Sequence, residues 1–427
     1  MKIKVKNADY KSVMEMERPK HKKPKRPNIF FRTLMKVLSV PTLWKNHFTL
    51  ETEGMERLGK NEPCLYLMNH SSFTDMKIAA SIIYPRPFSI VCTADALIGK
   101  EWLMRQIGCT PTHKFVFDIG LIRDITYSIK KNNCSVLMYP EAGYSFDGRA
   151  TVLPENFGKF IKMLGAPVVM IKTEGAFLRN PLYNNLKIRK VKIGAKMSLL
   201  FDADEVKSKS TEELGAAVND AFTFDEFRYQ QENKIKVDEP FRAEALHRLL
   251  YKCPNCNTEG KMLGEGIALK CLECGKEWTL DEYGFMRASS GKTEFEHIPD
   301  WYDWERECVA AEVRDGTYSM EADVDIYMLI DTKCLYRVGE GRLTHNREGF
   351  RLVGCNGELE YTQKPISLYC LNADYYWYEI GDIICIGDAK TQYYCFTKSS
   401  EDNVTKARLA TEEMYKIVKN EQRGSEK

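Results

Sequence analysis

Between residues 50 and 200 the chain alternates short apolar runs with longer segments whose apolar positions recur at helical spacing. The runs are Cys64–Met68, Phe88–Cys92, Val136–Tyr139 and Val168–Ile171, and the periodic segments lie near 75–83, 96–107, 121–132 and 156–165. This alternation predicts an α/β domain, a sheet covered by helices. Open sheets of this kind gather ligands beyond the carboxyl ends of their strands. His70 follows the first run and Pro140–Glu141 the third, so two chemically capable groups are placed to share one cleft.

Upstream, Asn28 is positioned to cap a helix through about Val40, ended before Pro41. Phe30, Leu34 and Leu38 share one face of it, joined by Phe31, Met35 and Val37, while Arg32 and Lys36 lie on another. At roughly 18 Å it is too short to cross a bilayer. Before it, Arg18, Lys20, Lys22, Lys23, Lys25 and Arg26 occur without an acidic residue and among three prolines. Little fixed structure is expected over 1–27. A basic arm beside an amphipathic helix suits docking on an anionic membrane surface. A helix packed on the domain, with a solvated arm, fits the same pattern.

From about 318 to 397 the pattern turns to short strands separated by turn signals, among them Asn356–Gly357, a good hairpin turn. Six or seven strands precede a helix near 403–419, with Val404, Ala407, Met414, Ile417 and Val418 on one face. In architecture alone this β-rich region resembles a pleckstrin-homology-like barrel with a C-terminal helix. Tyr375, Tyr376, Trp377, Tyr378, Tyr393 and Tyr394 divide between its core and a candidate ligand surface.

After a polar, charged connector at about 204–245 come Cys253–Pro254–Asn255–Cys256 and Cys271–Leu272–Glu273–Cys274, fourteen residues apart. Two thiolates from each of two tight turns complete a tetrahedron around Zn2+, which predicts a small four-cysteine zinc ribbon. Such a closed site is structural. Lys252, Lys261, Lys270 and Lys276 are balanced by Glu259, Glu265, Glu273 and Glu277, so no nucleic acid partner is expected.

The length of 427 residues predicts two to four domains, and 44% hydrophobic with 29% charged content is that of a soluble globular chain. The remaining ten of the fourteen cysteines are scattered singly through apolar runs, and the N-terminus has no apolar core of a signal peptide. A reducing cytoplasm is the expected compartment. No apolar run reaches the length of a transmembrane helix.

His70 and Asp75 stand five positions apart, a rotation of about 140° on a continuous helix. They meet only if His70 lies in the turn before a helix and Asp75 in its first turn, an arrangement that Ser72 as N-cap supplies. The same residues read equally as a capping box.

The pair also resembles the H-x-x-x-x-D motif of glycerolipid acyltransferases of the lysophosphatidic-acid (1-acylglycerol-3-phosphate O-acyltransferase) type. The likeness extends over roughly 48–200: Gly108 and Lys114 at the second motif, and Tyr139–Pro140–Glu141 at the third with Ser145, Asp147 and Gly148 beyond it. Ala166–Val169 followed by Gly175 resembles the fourth. The resemblance implies that His70 is the general base and Asp75 its orienting partner, and that Lys114, Glu141, Tyr144 and Ser145 bind substrate. It implies an O-acyltransferase moving a fatty acyl group from acyl-CoA or acyl-carrier protein to the hydroxyl of a lysophospholipid or glycerol-phosphate-type acceptor. It also makes membrane docking of the first helix the better reading, peripheral on the cytoplasmic, inner face. Two departures alter the acceptor site: Tyr144 and Lys114 replace phosphate-binding arginines. Lys159, Lys172 and Arg123 are other cations that could reach a phosphate. A non-catalytic, acyltransferase-like scaffold that binds lipid or protein through its ribbon and β-domain is the alternative. The expected division is a basic flexible arm (1–27), a membrane-docking helix (28–47), the acyltransferase domain (48–245), the ribbon (246–295) and the β-rich domain (300–427).

Overall fold

The computed structural model describes residues 3–115, 118–399 and 404–425. The chain opens with a strand, β1 (Val5–Asn7), and a short helix, α1 (Tyr10–Met14). Here the fold departs from the loose arm expected over 1–27. β1 pairs in parallel with residues 335–337 of the C-terminal region. The basic segment behind it finds partners on the protein: Lys22 lies 2.5 Å from Glu101, His21 3.0 Å from Asp124, and Arg105 donates to the carbonyls of Lys22 and Lys23. Those partners are remote in sequence, so local composition could not reveal them.

Helix α2 (Ile29–Lys45) begins as expected, with the Asn28 side chain accepting the Phe31 N–H at 3.1 Å. It does not stop at Pro41. A proline forfeits one N–H, and the last turn is held by Leu43, which is buried in a core cluster with Ile78 and Ile83.

The first domain is a seven-stranded sheet: β2 (Thr49–Glu53), β3 (Leu65–Met68), β4 (Phe88–Thr93), β5 (Cys109–Thr112), β6 (Ser135–Met138), β7 (Val168–Glu174) and β8 (Gly194–Phe201). Their order is β2-β8-β7-β3-β6-β4-β5, with every neighbour parallel except β7 and β8. The four expected runs form its centre. Sequence pattern missed β2, β5 and β8: β2 is an exposed edge, β5 is four residues around a proline, and β8 alternates without a continuous apolar run. Tyr66 and Met68 bury on one face of the sheet, Leu65 and Leu67 on the other, as the two-residue period requires.

Helices α3 (Asp75–Ile82), α4 (Glu101–Gln106), α5 (Ile119–Lys130) and α6 (Phe157–Leu164) cover the sheet, and α7 (Ala176–Arg179) follows β7. The expected connector at 204–245 instead holds α8 (Ala203–Ser208), α9 (Thr211–Ala221) and α10 (Glu226–Glu232). Leu214, Val218 and Phe222, four apart, bury against the sheet beneath polar outer faces, which is why the segment reads as polar on average. α6 approaches α9 so closely that a Cβ on Gly158 would lie 1.9 Å from the Thr211 carbonyl oxygen.

Next comes a four-stranded antiparallel sheet of β9 (Met262–Glu265), β10 (Ala268–Cys271), β11 (Glu277–Leu280) and β12 (Met286–Ala288). A long helix, α11 (Ile298–Arg314), begins in the gap between the expected ribbon (246–295) and the expected β-rich domain (300–427). The C-terminal region contains β13 (Met320–Met328), β14 (Leu335–Asn346), β15 (Gly349–Gly354), β16 (Leu359–Gln363), β17 (Asn372–Trp377), β18 (Gly381–Gly387), β19 (Gln392–Thr397) and α12 (Val404–Ser425). Its antiparallel order is β16-β15-β14-β13-β19-β18-β17. Asn356 (φ 56°) and Gly357 (φ 87°) make the left-handed connection between β15 and β16, which Asn-Gly accommodates at little cost.

These parts share one core, in which Phe146 and Phe177 join Leu246, Trp278, Tyr375 and Ala407. Polar ties reinforce it: Tyr375 and Thr405 both donate to the Arg248 carbonyl, and the Gly99 N–H donates to that of Thr332 at 2.8 Å. No described helix is long and apolar enough to cross a membrane.

Candidate active site and metal centre

β3 ends at Met68 and β6 at Met138, and the two strands are parallel neighbours. The turns that follow them therefore emerge side by side, bringing His70 to Glu141 although 71 residues separate them. Asn69 anchors the first turn: its side-chain oxygen accepts the Thr173 N–H at 2.8 Å from the end of β7.

His70 Nδ1 lies 3.0 Å from Asp75 Oδ2. That oxygen also accepts the N–H groups of Ser71 (2.9 Å) and Ser72 (3.0 Å), so it is fixed as an acceptor and calls for the Nδ1–H tautomer. Asp75 opens α3, as the meeting of the two requires. The local capping differs from expectation. Ser72 does not cap the helix; its hydroxyl accepts from the Thr74 N–H and donates to Asn180, and Thr74 is an N-cap without a side-chain bond. The second Asp75 oxygen is buried without a partner among the described residues.

The imidazole is stacked between two phenols. Its centroid is 4.2 Å from the Tyr139 ring and 3.9 Å from the Tyr144 ring, and Phe73 continues the stack beyond Tyr144 at 5.1 Å. Burial lowers the His70 pKa from its ordinary 6.5, with Asp75 pulling in the opposite direction and Lys114 adding to the lowering. Burial raises the Tyr144 phenol well above its usual range, so it stays neutral.

Glu141 is fully buried, with one oxygen accepting the His70 N–H and the other the Thr151 N–H, both at 2.8 Å. Burial pushes its carboxyl up to about 7, against the pull of these two bonds. Ser145 is also buried: its N–H donates to the His70 carbonyl at 3.0 Å and its hydroxyl to the Arg149 carbonyl. Both backbone groups of His70 are thus held by the 140–151 loop. Asp147 pairs with Arg149, which clasps Asp303 of α11.

A cavity of about 1410 Å³ opens beside this pair, lined by His70, Lys114, Tyr144 and Phe73 among others. Glu141 and Ser145 are not among its lining residues; both bond to the backbone of His70. Lys159 lines the cavity, whereas Lys172 donates to the Thr223 carbonyl. Gly108 makes a close approach: at φ 92°, a Cβ there would meet Pro27 at 2.7 Å. Sequence reading missed Asn69, Thr151 and the cavity residue Asp374, which act across strands or domains and have no local signal; Tyr378, read as core or candidate ligand surface of the β-rich region, lines the cavity of His70.

Cys253, Cys256, Cys271 and Cys274 converge, with all four sulfurs within 4.8 Å of one another. The Cys253–Cys274 and Cys256–Cys271 separations are 3.7 Å. That is far beyond the roughly 2.05 Å of a disulfide. It matches the edge of about 3.8 Å expected when four sulfurs stand about 2.3 Å from one tetrahedral ion. The four thiolates fit a metal ion and leave no position open for chemistry.

Residues 49–172, which span most of the first sheet, match the family model described as Acyltransferase. Among solved structures, the chain is similar to the 1-acyl-sn-glycerophosphate (LPA) acyltransferase PlsC from Thermotoga maritima, at 16% identity and a TM-score of 0.36, covering 45% of this chain and 76% of that one. No curated protein matches.

Proposed function

We propose that the protein is an O-acyltransferase that moves a fatty acyl group from a thioester donor, acyl-CoA or acyl-carrier protein, to the hydroxyl of a lysolipid acceptor. The observation that carries this reading is the His70–Asp75 pair, 3.0 Å apart, at the wall of a large cavity within the family-matched segment.

With Nδ1–H held by Asp75, Nε2 is the basic nitrogen. It takes the proton of the acceptor hydroxyl as that oxygen attacks the thioester carbonyl carbon. The C–S bond then breaks, the ester forms, and the departing thiolate takes up the proton from the imidazolium. Asp75 steadies the imidazolium while it exists. The depressed His70 pKa keeps the base neutral near pH 7.

The protein works docked on a membrane surface. Phe30, Leu38 and Trp44 of α2 and Trp102 of α4 are exposed, and the Phe31 and Trp102 rings meet edge to face with centroids 6.2 Å apart. Lys100 and Met104, two residues either side of Trp102, line the cavity, so this apolar face adjoins it. Lipid acceptors could therefore enter from the bilayer. Zinc is the ion assigned to the four cysteines, where it staples the ribbon to the common core. The antiparallel order of the C-terminal strands, followed by one helix, supports the pleckstrin-homology-like reading of that domain.

The test is transfer of a labelled acyl group from acyl-CoA to a panel of lysolipids by the full-length protein and by His70→Ala. Product from the first and at least roughly a hundredfold less from the second is expected. Equal product from both would overturn the role of His70, and none from either would leave a scaffold.

A further inference from the structure

The cavity that holds His70 is walled in part by residues from outside the acyltransferase domain. Asp374, Tyr376, Trp377 and Tyr378, from β17 and the turn after it, line the cavity together with Lys114 and Tyr144. The backbone here is irregular in a way that serves this placement. The β17–β18 register shifts between Asp374 and Trp377, and Tyr376, Tyr378 and Glu379 adopt left-handed φ of 48°, 48° and 65°. Side chains with a Cβ adopt that conformation only at a cost. Tyr378 is pinned across the domain boundary, its hydroxyl donating to Asp95 Oδ2 at 2.9 Å.

Asp374 and Lys114 bring opposite charges to this part of the cavity, which Asp95, Lys100 and Lys159 also line. Asp374 is only 6% exposed, and its carboxylate accepts the adjacent Tyr375 N–H at 3.0 Å. Lys114 lines the same cavity, and among the described residues no ion pair joins it to Asp374 or to another carboxylate. A lysine ammonium offers a phosphate one point charge, where two arginines would offer bidentate forks. A buried carboxylate among aromatic faces is the environment that holds an ammonium group. A phosphate monoester, doubly anionic and without a cation, would bring its charge against Asp374 and Asp95.

We propose that this pocket receives an acceptor with a zwitterionic headgroup, a phosphodiester at Lys114 and an ammonium against Asp374 and the aromatic wall. The substrate site is then composite, with the C-terminal domain setting acceptor specificity. Burial raises the Asp374 carboxyl to about 6, with Lys114 opposing the rise, so the carboxylate form prevails at neutral pH. The inference rests on the acyl-transfer reading for its chemistry, while headgroup binding stands apart from turnover.

The test is titration calorimetry of the full-length protein with glycerophosphoethanolamine, glycerophosphocholine and glycerol 3-phosphate. Zwitterions are expected to bind at least tenfold more tightly than glycerol 3-phosphate; the first two probes distinguish a primary from a quaternary ammonium. Asp374→Asn, which keeps an acceptor for the Tyr375 N–H, should weaken the zwitterions about tenfold and spare glycerol 3-phosphate. Lys114→Gln should weaken all three, with melting curves checking that both variants fold. Equal or tighter binding of glycerol 3-phosphate, no effect of Asp374→Asn on zwitterions, or no binding of any probe would overturn the proposal. Acyl transfer to the matching lysolipids separates the two readings. Transfer that ignores Asp374 refutes the headgroup assignment alone, whereas zwitterion binding without any transfer refutes the acyltransferase reading alone.

Discussion

The backbone N–H of His70 donates to Glu141 at 2.8 Å across the ends of two adjacent parallel strands, and the other oxygen of Glu141 holds Thr151. A carboxylate can accept both N–H groups; an amide cannot. Glu141→Gln should turn an NH2 group toward one of them, at about 1–3 kcal/mol. Since Glu141 does not line the cavity, the loss should appear in kcat, roughly tenfold to a hundredfold, with KM little changed.

The His70–Asp75 pair makes a pH prediction. The folded His70 pKa lies below 6.5, so the neutral base persists to lower pH than free histidine, and the acid limb of kcat/KM should fall below 6.5. Asp75 raises this pKa from within the pair, so Asp75→Asn should move the limb lower still. It should also cut kcat by about 10²–10⁴-fold through loss of tautomer control. Initial rates across pH with both proteins check this.

Glu226 couples pH to stability. It is buried, with its carboxyl accepting the Gly175 N–H at 2.8 Å, and burial pushes its pKa up to about 8 from 4.5. The folded state therefore binds this proton more tightly than the unfolded chain does. Its contribution is complete below pH 4.5 and is lost as pH rises through 8. Denaturant melts at pH 5.5 and 8 should show the wild type weaker at the higher pH, with Glu226→Gln flattening the difference.

The metal centre predicts about one zinc per chain in protein as purified. Cys271→Ser removes a ligand whose side chain sits in the shared core. Metal content should fall to near zero and the melting temperature by several degrees.

Docking is read by flotation with anionic vesicles. Leu38→Glu and Trp44→Glu replace two exposed apolar side chains on α2, each worth roughly 1.5–3 kcal/mol when buried in lipid. Together they should reduce the bound fraction at least tenfold while leaving the melting temperature unchanged. Unaltered flotation would refute docking through this face.

The sequence by itself determined whatever depends on neighbours along the chain. Apolar runs such as Leu65–Met68 and Val168–Ile171 specify buried strands, Cys253 to Cys274 specify a paired-thiolate site by spacing, and Asn356–Gly357 specifies a left-handed turn. The five-residue step from His70 to Asp75 permitted only one meeting geometry, and the fold has it. Averaged polarity hid α9, although its stripe of Leu214, Val218 and Phe222 was legible at four-residue spacing. Strand ends already placed His70 and Glu141 toward one cleft, but only the tertiary structure decided which distant groups touch. Adjacent strands β3 and β6 put Glu141 onto the His70 N–H, and pairing of β1 with β14 drew the basic N-terminus onto the protein. Packing of the C-terminal sheet on the first domain brought Asp374 and Tyr378 into the cavity of His70. Contacts of this kind are set by the burial of surfaces remote in sequence, and no local spacing encodes them.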